Sequence, residues 1–345
     1  MGSAERALRL RGGARTSTGQ VRENNEDNLH MWARDLFLLA VVADGMGGAA
    51  AGEEASRIAV EAVENGMNFF EQVDSGKLET MTDHTIIERM RDVIRAANLN
   101  IVKRASANPE LRGMGTTVTM ALVRTLERPR GKSPENHVTR PAREIQVLVA
   151  HVGDSRAYII DSQSRQINQI TADHSFVEAL VAAGHLTQEQ AEDHPMRNVL
   201  YRALGQNEDI DVDMYEARLH TGDRLVLCSD GLTRHVKPAE IAEITLAHDD
   251  PNEAAQSLIN LANERGGEDN VSVVVVILEG PNDDDSTIEL RMLVMNDDED
   301  TRVIPNAAIA AVEDDTVKAV RIPPSSPNEP HESGGEGHDP SAPPQ

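Results

Sequence analysis

The chain has 345 residues, 39% of them apolar and 26% charged, enough for one large domain or two ordinary ones with a buried core. Aromatics make up only 2%, and 58 acidic residues against 33 basic ones give a net charge of −25. That composition excludes an aromatic stacking platform for single strands and a phosphate-backbone binder, and it favours cations as partners or ligands.

The single cysteine, Cys228, rules out an intrachain disulfide and a cysteine-based zinc site. Residues 1–15 carry no apolar signal core and read as a flexible N-terminus, so the expected location is cytoplasmic. Apolar runs predict strands at Leu36–Ala43, Thr116–Arg124, Ile145–Val152, Ala157–Asp161, Asp223–Ser229 and Val271–Leu278. All are strand-sized, far short of the ~20 residues of a membrane helix. Helical periodicity marks Gly52–Phe70, Asp83–Ala107, Phe176–Ala183, Pro238–Leu246 and Asn252–Arg265. Three of the strands follow one another with no helix between them, which calls for antiparallel hairpins and not a repeating strand–helix–strand unit. The polar stretch between Glu127 and Arg143 reads as an exposed hairpin loop.

Composition changes near Gly280. Residues 281–345 hold 9 of the 16 prolines and carry 15 acids against 4 bases. This acidic, Pro-rich tail is expected to be largely disordered, because it has too little apolar surface to offset chain entropy. Within it, the short Val, Ile and Met clusters between Thr287 and Ile322 suit a weak hairpin or a partner-binding segment.

Four acidic residues sit at strand ends beside glycine: Asp44 in Ala43-Asp44-Gly45-Met46-Gly47-Gly48, Asp154 in Val152-Gly153-Asp154-Ser155-Arg156, Asp230 in Ser229-Asp230-Gly231-Leu232, and Asp269 in Gly266-Gly267-Glu268-Asp269-Asn270. Each alone reads equally well as a turn, since Asp-Gly is a common hairpin dipeptide. Four together, each on a buried-looking strand, point to hard divalent cations, because a carboxylate there is costly without water or a cation. A fifth segment, Arg22-Glu23-Asn24-Asn25-Glu26-Asp27, offers a guanidinium fork suited to phosphate and two more carboxylates.

In this order, and with Gly113-Met114-Gly115-Thr116-Thr117 between them, these segments resemble the metal-dependent type 2C (PPM) protein serine/threonine phosphatases, above all the bacterial branch. The resemblance covers about residues 16–280. It implies an α/β fold: an α-β-β-α sandwich of two mainly antiparallel sheets flanked by helices, with a small helical flap inserted at about 173–204. It implies two Mn²⁺ or Mg²⁺ ions, with a weaker third in bacterial relatives. Asp44 would bridge the pair and Gly45 would lend its carbonyl. Asp230 and Asp269 would hold the first ion, Glu26 and Asp27 would orient bound waters, and Asp154 with Asp230 would support the third. Arg22 would grip the substrate phosphate. The implied substrates are phosphorylated proteins, including a Ser/Thr kinase; neither nucleic acid nor a membrane is an expected partner, and a monomer is expected.

One position departs from the family pattern. Bacterial members commonly place a histidine after Asp-Gly-Met-Gly-Gly, assigned as the acid that protonates the leaving alkoxide, and this chain has Ala49 there. His151 and His174 are the candidate substitutes by sequence. The departure also leaves room for a catalytically weak pseudophosphatase that binds phosphoproteins. A dinucleotide site is the other competitor, since Gly45-Met46-Gly47-Gly48-Ala49-Ala50 fits Gly-x-Gly-x-x-Ala after a strand, but Asp44 would then face a pyrophosphate.

Overall fold

Alternation along the apolar runs sets the layers. In β3 (Phe37–Ala43) the side chains of Leu38, Ala40 and Val42 enter one core, and those of Leu39, Val41 and Ala43 enter another. A strand that is apolar on both faces needs cover on both sides, and it gets a second sheet on one side and helices on the other. The fold is seen in a computed structural model that describes residues 9–34, 37–67, 81–127, 143–280, 290–295 and 301–305.

One sheet has five strands: β1 (Arg9–Ser17), β12 (Val271–Glu279), β11 (Arg224–Cys228), β8 (Arg156–Ile160) and β9 (Ile167–Gln169), in that spatial order. The other has seven: β14 (Thr301–Pro305), β13 (Leu290–Met295), β10 (Asp213–Leu219), β7 (Arg143–Val152), β6 (Val118–Glu127), β3 and β2 (Asn28–Arg34). Every neighbouring pair in both sheets is antiparallel, and so is a short two-stranded ribbon of β4 (Gly45–Met46) and β5 (Gly115–Thr116). Leu38, Val123, Val147 and Val149 of the larger sheet meet Leu10, Ile159, Leu225, Leu227 and Val276 of the smaller one in a central core.

Helices close both outer faces. α1 (Ala49–Met67) and α2 (Asp83–Ala107) cover the larger sheet through Ala55, Ala59, Val63, Ile86, Met90 and Ile94. α6 (Pro238–Ala247) and α7 (Pro251–Glu264) cover the smaller one through Ile241, Ala254, Leu258 and Ile259. The expected α-β-β-α sandwich is therefore the architecture found. Cys228 is buried in the second outer core, where burial pushes its thiol up to about 12; it packs as a small apolar group.

Two boundaries differ from the sequence reading. Arg9–Arg15 is not a flexible lead but most of β1, paired along its whole length with β12 from Arg9 opposite Glu279 to Ser17 opposite Val271. The run Arg9-Leu10-Arg11-Gly12-Gly13 hides the strand because two inward positions are glycines. A Cβ at Gly12 would lie 2.2 Å from Met31 Sδ, and one at Gly13 would lie 2.4 Å from the backbone at Pro251–Asn252. Past Gly280, inside the tail expected to be largely disordered, the segment read as a weak hairpin or a partner-binding stretch holds the hairpin β13–β14, which extends the larger sheet beyond β10 with Met214 opposite Leu293 and Ala217 opposite Leu290. Residues 128–142 of the predicted loop, and 281–289, 296–300 and 306–345 of the tail, lie outside the described residues.

Candidate active site

The antiparallel register brings the acidic motifs to one end of the sandwich. Asp44 follows the last residue of β3, and Asp27 precedes the first residue of β2, the strand paired with it. Asp230 lies two residues beyond β11, and Asp269 lies two residues before β12, its neighbour. Asp154 sits in the short loop between β7 and β8.

Backbone bonds hold Asp44 in place. Its N–H donates to Thr117 Oγ1 at 3.0 Å, and its carbonyl accepts from the Thr117 N–H at 2.9 Å and the Thr116 hydroxyl at 2.7 Å. Thr117 Oγ1 in turn lies 2.7 Å from Ser155 Oγ, which ties the Asp44 strand to the loop of Asp154. Gly45 has no room for a side chain: a Cβ there would lie 2.2 Å from the Gly52 carbonyl oxygen. Gly52 similarly makes way for Glu26, whose Oε2 would be 2.0 Å from a Cβ at that position. The Glu26 N–H donates to Asn270 Oδ1 at 2.8 Å, and Asn270 Nδ2 donates to the carbonyls of Thr18 and Asn24, both at 2.9 Å. One amide side chain thus fixes the loop that carries Arg22, Glu26 and Asp27.

The carboxylates repel one another, and too little positive charge offsets them. Burial, then the charges of Asp27, Asp230, Asp154 and Asp269, raise the Asp44 carboxyl well above the usual range. Burial raises Asp27 to about 7 against the opposing hydroxyls of Ser229 and Ser272, with Asp230 and Asp269 adding to the rise. Burial and the charge of Asp230 raise Asp154 to about 8. Burial likewise raises Glu26. Asp27 Oδ2 accepts from the Ser229 hydroxyl at 2.7 Å, but Asp27 Oδ1 and Asp230 Oδ1 are buried with no hydrogen-bond partner. Buried acceptors without donors fit a cation or its bound water.

The structure brings all the sequence-predicted site residues to this edge. It also adds one that the sequence reading passed over. Arg234 donates to Asp230 Oδ2 and, at 3.1 Å, to Asp269 Oδ2. Arg22 reaches the same Asp269 oxygen at 3.0 Å. Among the described residues, no group of three or more His, Cys, Asp or Glu side chains is arranged as a metal cage. The signal for Arg234 was present in Asp230-Gly231-Leu232-Thr233-Arg234: in a helical turn beginning at Asp230, position i+4 shares its face.

His151 and His174 are not placed as free acids. His151 is fully buried, with Nε2 donating to the Ala172 carbonyl at 3.1 Å and Nδ1 lying 2.9 Å from Thr119 Oγ1, and burial lowers it to about 3. His174 Nδ1 accepts from the Gly153 N–H at 3.0 Å, which leaves its proton on Nε2, 3.0 Å from Asp213 Oδ2. The His174 ring holds the Asp154 loop directly through Gly153, and His151 reaches it through Thr119, whose hydroxyl donates to the Ser155 carbonyl.

The flap region holds two short helices, α3 (Phe176–Ala182) and α4 (Gln188–Glu192). Its two ends are tied to site loops: the His174 N–H donates to the Gly153 carbonyl at 2.7 Å, and Leu204 and Thr116 exchange backbone bonds of 2.9 and 3.1 Å. Phe176, Met196, Val199 and Tyr201 stay exposed on it.

A two-sheet sandwich with acidic strand ends gathered at one edge is the plan of a metal-dependent phosphatase. A protein phosphatase 2C family profile matches residues 14–264, and the chain belongs to that family of protein serine/threonine phosphatases. The serine/threonine phosphatase stp of Listeria monocytogenes is 36% identical over 265 residues, which is 76% of this chain and 93% of that one. The crystal structure of Stp1 from Staphylococcus aureus superposes with a TM-score of 0.65 at 33% identity, over 81% of this chain and all of that one. The PstP catalytic domain, crystallised in complex with two manganese ions, gives a TM-score of 0.61 at 32% identity, over 79% of this chain and all of that one.

Proposed function

We propose that the chain hydrolyses phosphoserine and phosphothreonine in proteins with two Mn²⁺ or Mg²⁺ ions held at the acidic edge, and that it opposes a Ser/Thr kinase. The observation that supports this most is the pair of buried, unpartnered oxygens, Asp27 Oδ1 and Asp230 Oδ1, within a set of mutually repelling carboxylates. When bound, the ions supply Lewis acidity, which lowers the pKa of a water and draws charge from the phosphoryl oxygens. Asp44 would be shared between the two ions and Gly45 would offer its carbonyl. Asp230 and Asp269 would hold the first ion, and Asp154 with Asp230 a third. Glu26 and Asp27 would accept hydrogen bonds from waters at the site and fix their orientation.

Arg22 is half-exposed at the mouth of the site and already faces an oxyanion at Asp269, so it suits a fork on two phosphoryl oxygens. The exposed apolar side chains of the flap suit the residues that flank a phosphosite. No protein nucleophile is needed, and the buried Cys228 offers none. The test is hydrolysis of p-nitrophenyl phosphate and of a phosphothreonine peptide by chelator-stripped protein, with Mn²⁺ restored or withheld. Turnover of both that requires Mn²⁺ supports the reading. Turnover that persists in EDTA, or none with Mn²⁺ bound, overturns it.

A further inference from the structure

Arg234 is not part of the metal-binding or phosphate-gripping set inferred above, yet it pairs with two carboxylates at the acidic edge. The turn α5 (Asp230–Thr233) begins at Asp230, and Arg234 caps its end with its N–H bonded to the Asp230 carbonyl. One helical turn therefore aims the guanidinium back at the carboxylate that opens it. The fork is also long enough to bridge out of the turn: Nη2 is on Asp230 Oδ2, and Nη1 is 3.1 Å from Asp269 Oδ2. Its charge also acts on Asp154 and Asp44. Among the described residues, no Lys or Arg forms an ion pair with Asp27 or Asp44. The guanidinium thus takes the two carboxylates expected to hold the first ion, and the other oxygen of Asp230 is left buried without a partner.

We propose that Arg234 is a tethered counter-ion: in the metal-free chain it neutralises Asp230 and Asp269, and a divalent cation must displace it to bind there. The proposal rests on the acidic edge being a cation site. The physical balance is an exchange. A cluster of carboxylates that repel one another is stabilised by a single positive charge supplied by the chain itself, and a dication that supplies two charges can replace it. The metal-free fold gains stability, and metal affinity falls by the strength of the guanidinium contacts that are given up. The absence of a preformed cage among the described residues is consistent with Asp230 and Asp269 being turned toward the guanidinium.

The experiment is a calorimetric titration of Mn²⁺ into the chelator-stripped full chain, for wild type, Arg234→Gln and Arg234→Lys, at one pH and one ionic strength. Thermal melts with and without Mn²⁺ accompany it. Arg234→Gln should bind Mn²⁺ on the order of tenfold more tightly, because two charge-assisted bonds no longer have to be broken. It should also melt lower than wild type without metal and gain more on adding Mn²⁺. Arg234→Lys keeps the charge but not the fork, and should lie between the two. Equal or weaker Mn²⁺ binding by Arg234→Gln overturns the proposal, since a residue that orients the metal ligands would act in that direction. If Arg234→Gln does not fold, Arg234→Lys decides by the same criterion. A wild-type chain that takes up no Mn²⁺ overturns both this proposal and the phosphatase mechanism. A wild type that binds Mn²⁺ beside a variant of unchanged affinity overturns the role of Arg234 alone.

Discussion

Two clusters of charged and polar side chains meet across the short strip from Gly153 to His174, and they are built on opposite principles. Beneath the strip, Asp213 accepts from His174 at 3.0 Å and from Arg202 at 2.6 Å, and Tyr215 Oη lies 3.3 Å from it. Beside it, Arg156 forks onto Asp173 with bonds of 2.6 to 3.0 Å. Burial works to raise the Asp213 carboxyl, yet the bond from His174 and the charge of Arg202 outweigh it and hold the group well below the usual range. Above the strip, the carboxyls of Asp27, Asp44 and Asp154 are crowded with the opposite result and are raised, and one oxygen each of Asp27 and Asp230 is left buried without a partner. The balanced cluster is complete within the chain and reads as scaffold. The unbalanced one keeps buried oxygens to which the chain offers no donor, which supports the reading of it as the site.

Substitutions that remove charge should therefore have opposite consequences in the two clusters. Asp44→Asn should cost about 10³-fold or more in Mn²⁺-dependent kcat/KM, because Asp44 would be a ligand of both proposed ions and their charge stabilisation of the transition state would be lost with it. The same change should raise the melting temperature of the metal-free chain at pH 8 by roughly 2 °C, since it deletes one of several like charges. Phosphopeptide kinetics and melts on the same preparation check both halves; a metal-free variant less stable than wild type would erase the contrast. Asp213→Ala should do the reverse. It leaves Arg202 and the His174 Nε2–H without their acceptor, and should cost ~2 kcal/mol in urea unfolding. Hydrolysis by the folded fraction at saturating Mn²⁺ should fall less than tenfold.

The pH dependence sharpens the same contrast. Asp27 raised to about 7 and Asp154 raised to about 8 hold protons in the folded chain that the unfolded chain has already released. A raised carboxyl favours the folded state at low pH and loses that advantage as pH climbs through the folded pKa. The metal-free protein should thus become less stable between about pH 5 and pH 8. With Mn²⁺ bound the carboxylates are held ionised, so the slope should flatten, and apparent Mn²⁺ affinity should rise over the same interval as protons cease to compete. Melting curves at pH 5.5, 6.5 and 8, with and without Mn²⁺, measure it. A metal-free stability that rises with pH would show that these carboxyls are not held up by burial.

How much of this was legible in the sequence depends on the kind of residue. Strands built from branched apolar runs, such as Phe37–Ala43 and Val271–Glu279, announce themselves, and so do the carboxylates at their ends, because burial of a strand and exposure of its terminus both leave marks in composition. β1 and β10 do not. Glycines occupy the tight inward positions of the first, and the second reads Asp213-Met214-Tyr215-Glu216-Ala217-Arg218-Leu219, with its buried Glu216 satisfied by Gln146 at 2.6 Å. A carboxylate whose hydrogen-bond donor is distant in sequence looks like a surface charge until the partner is seen. The same limit hid Arg234. The motif around Asp230 pointed to a carboxylate suited to a cation, but that one guanidinium also spans to Asp269 is a fact of the β11–β12 pairing, not of local spacing.

The smallest expected effect tests Ala49, where the resemblance to the bacterial phosphatases leads one to expect a histidine. Ala49 opens α1 directly after Gly47 and Gly48, which adopt φ of +113° and +95°. The two buried histidines have their ring nitrogens committed to Thr119, Ala172, Gly153 and Asp213, so neither is free to protonate a leaving alkoxide. Leaving-group protonation matters for a serine or threonine alkoxide and hardly at all for p-nitrophenolate, which departs as a stable anion. Ala49→His should therefore raise kcat for a phosphothreonine peptide about tenfold at pH 7 while leaving p-nitrophenyl phosphate within about twofold. Because the added group works as an acid, the gain should fade as pH rises past the imidazole pKa, near 6.5 in an unperturbed side chain. Equal gains on both substrates would indicate a change in metal or phosphate binding. No gain on the peptide at any pH would mean that the wild-type site already delivers that proton, with water at the acidic edge as its remaining source.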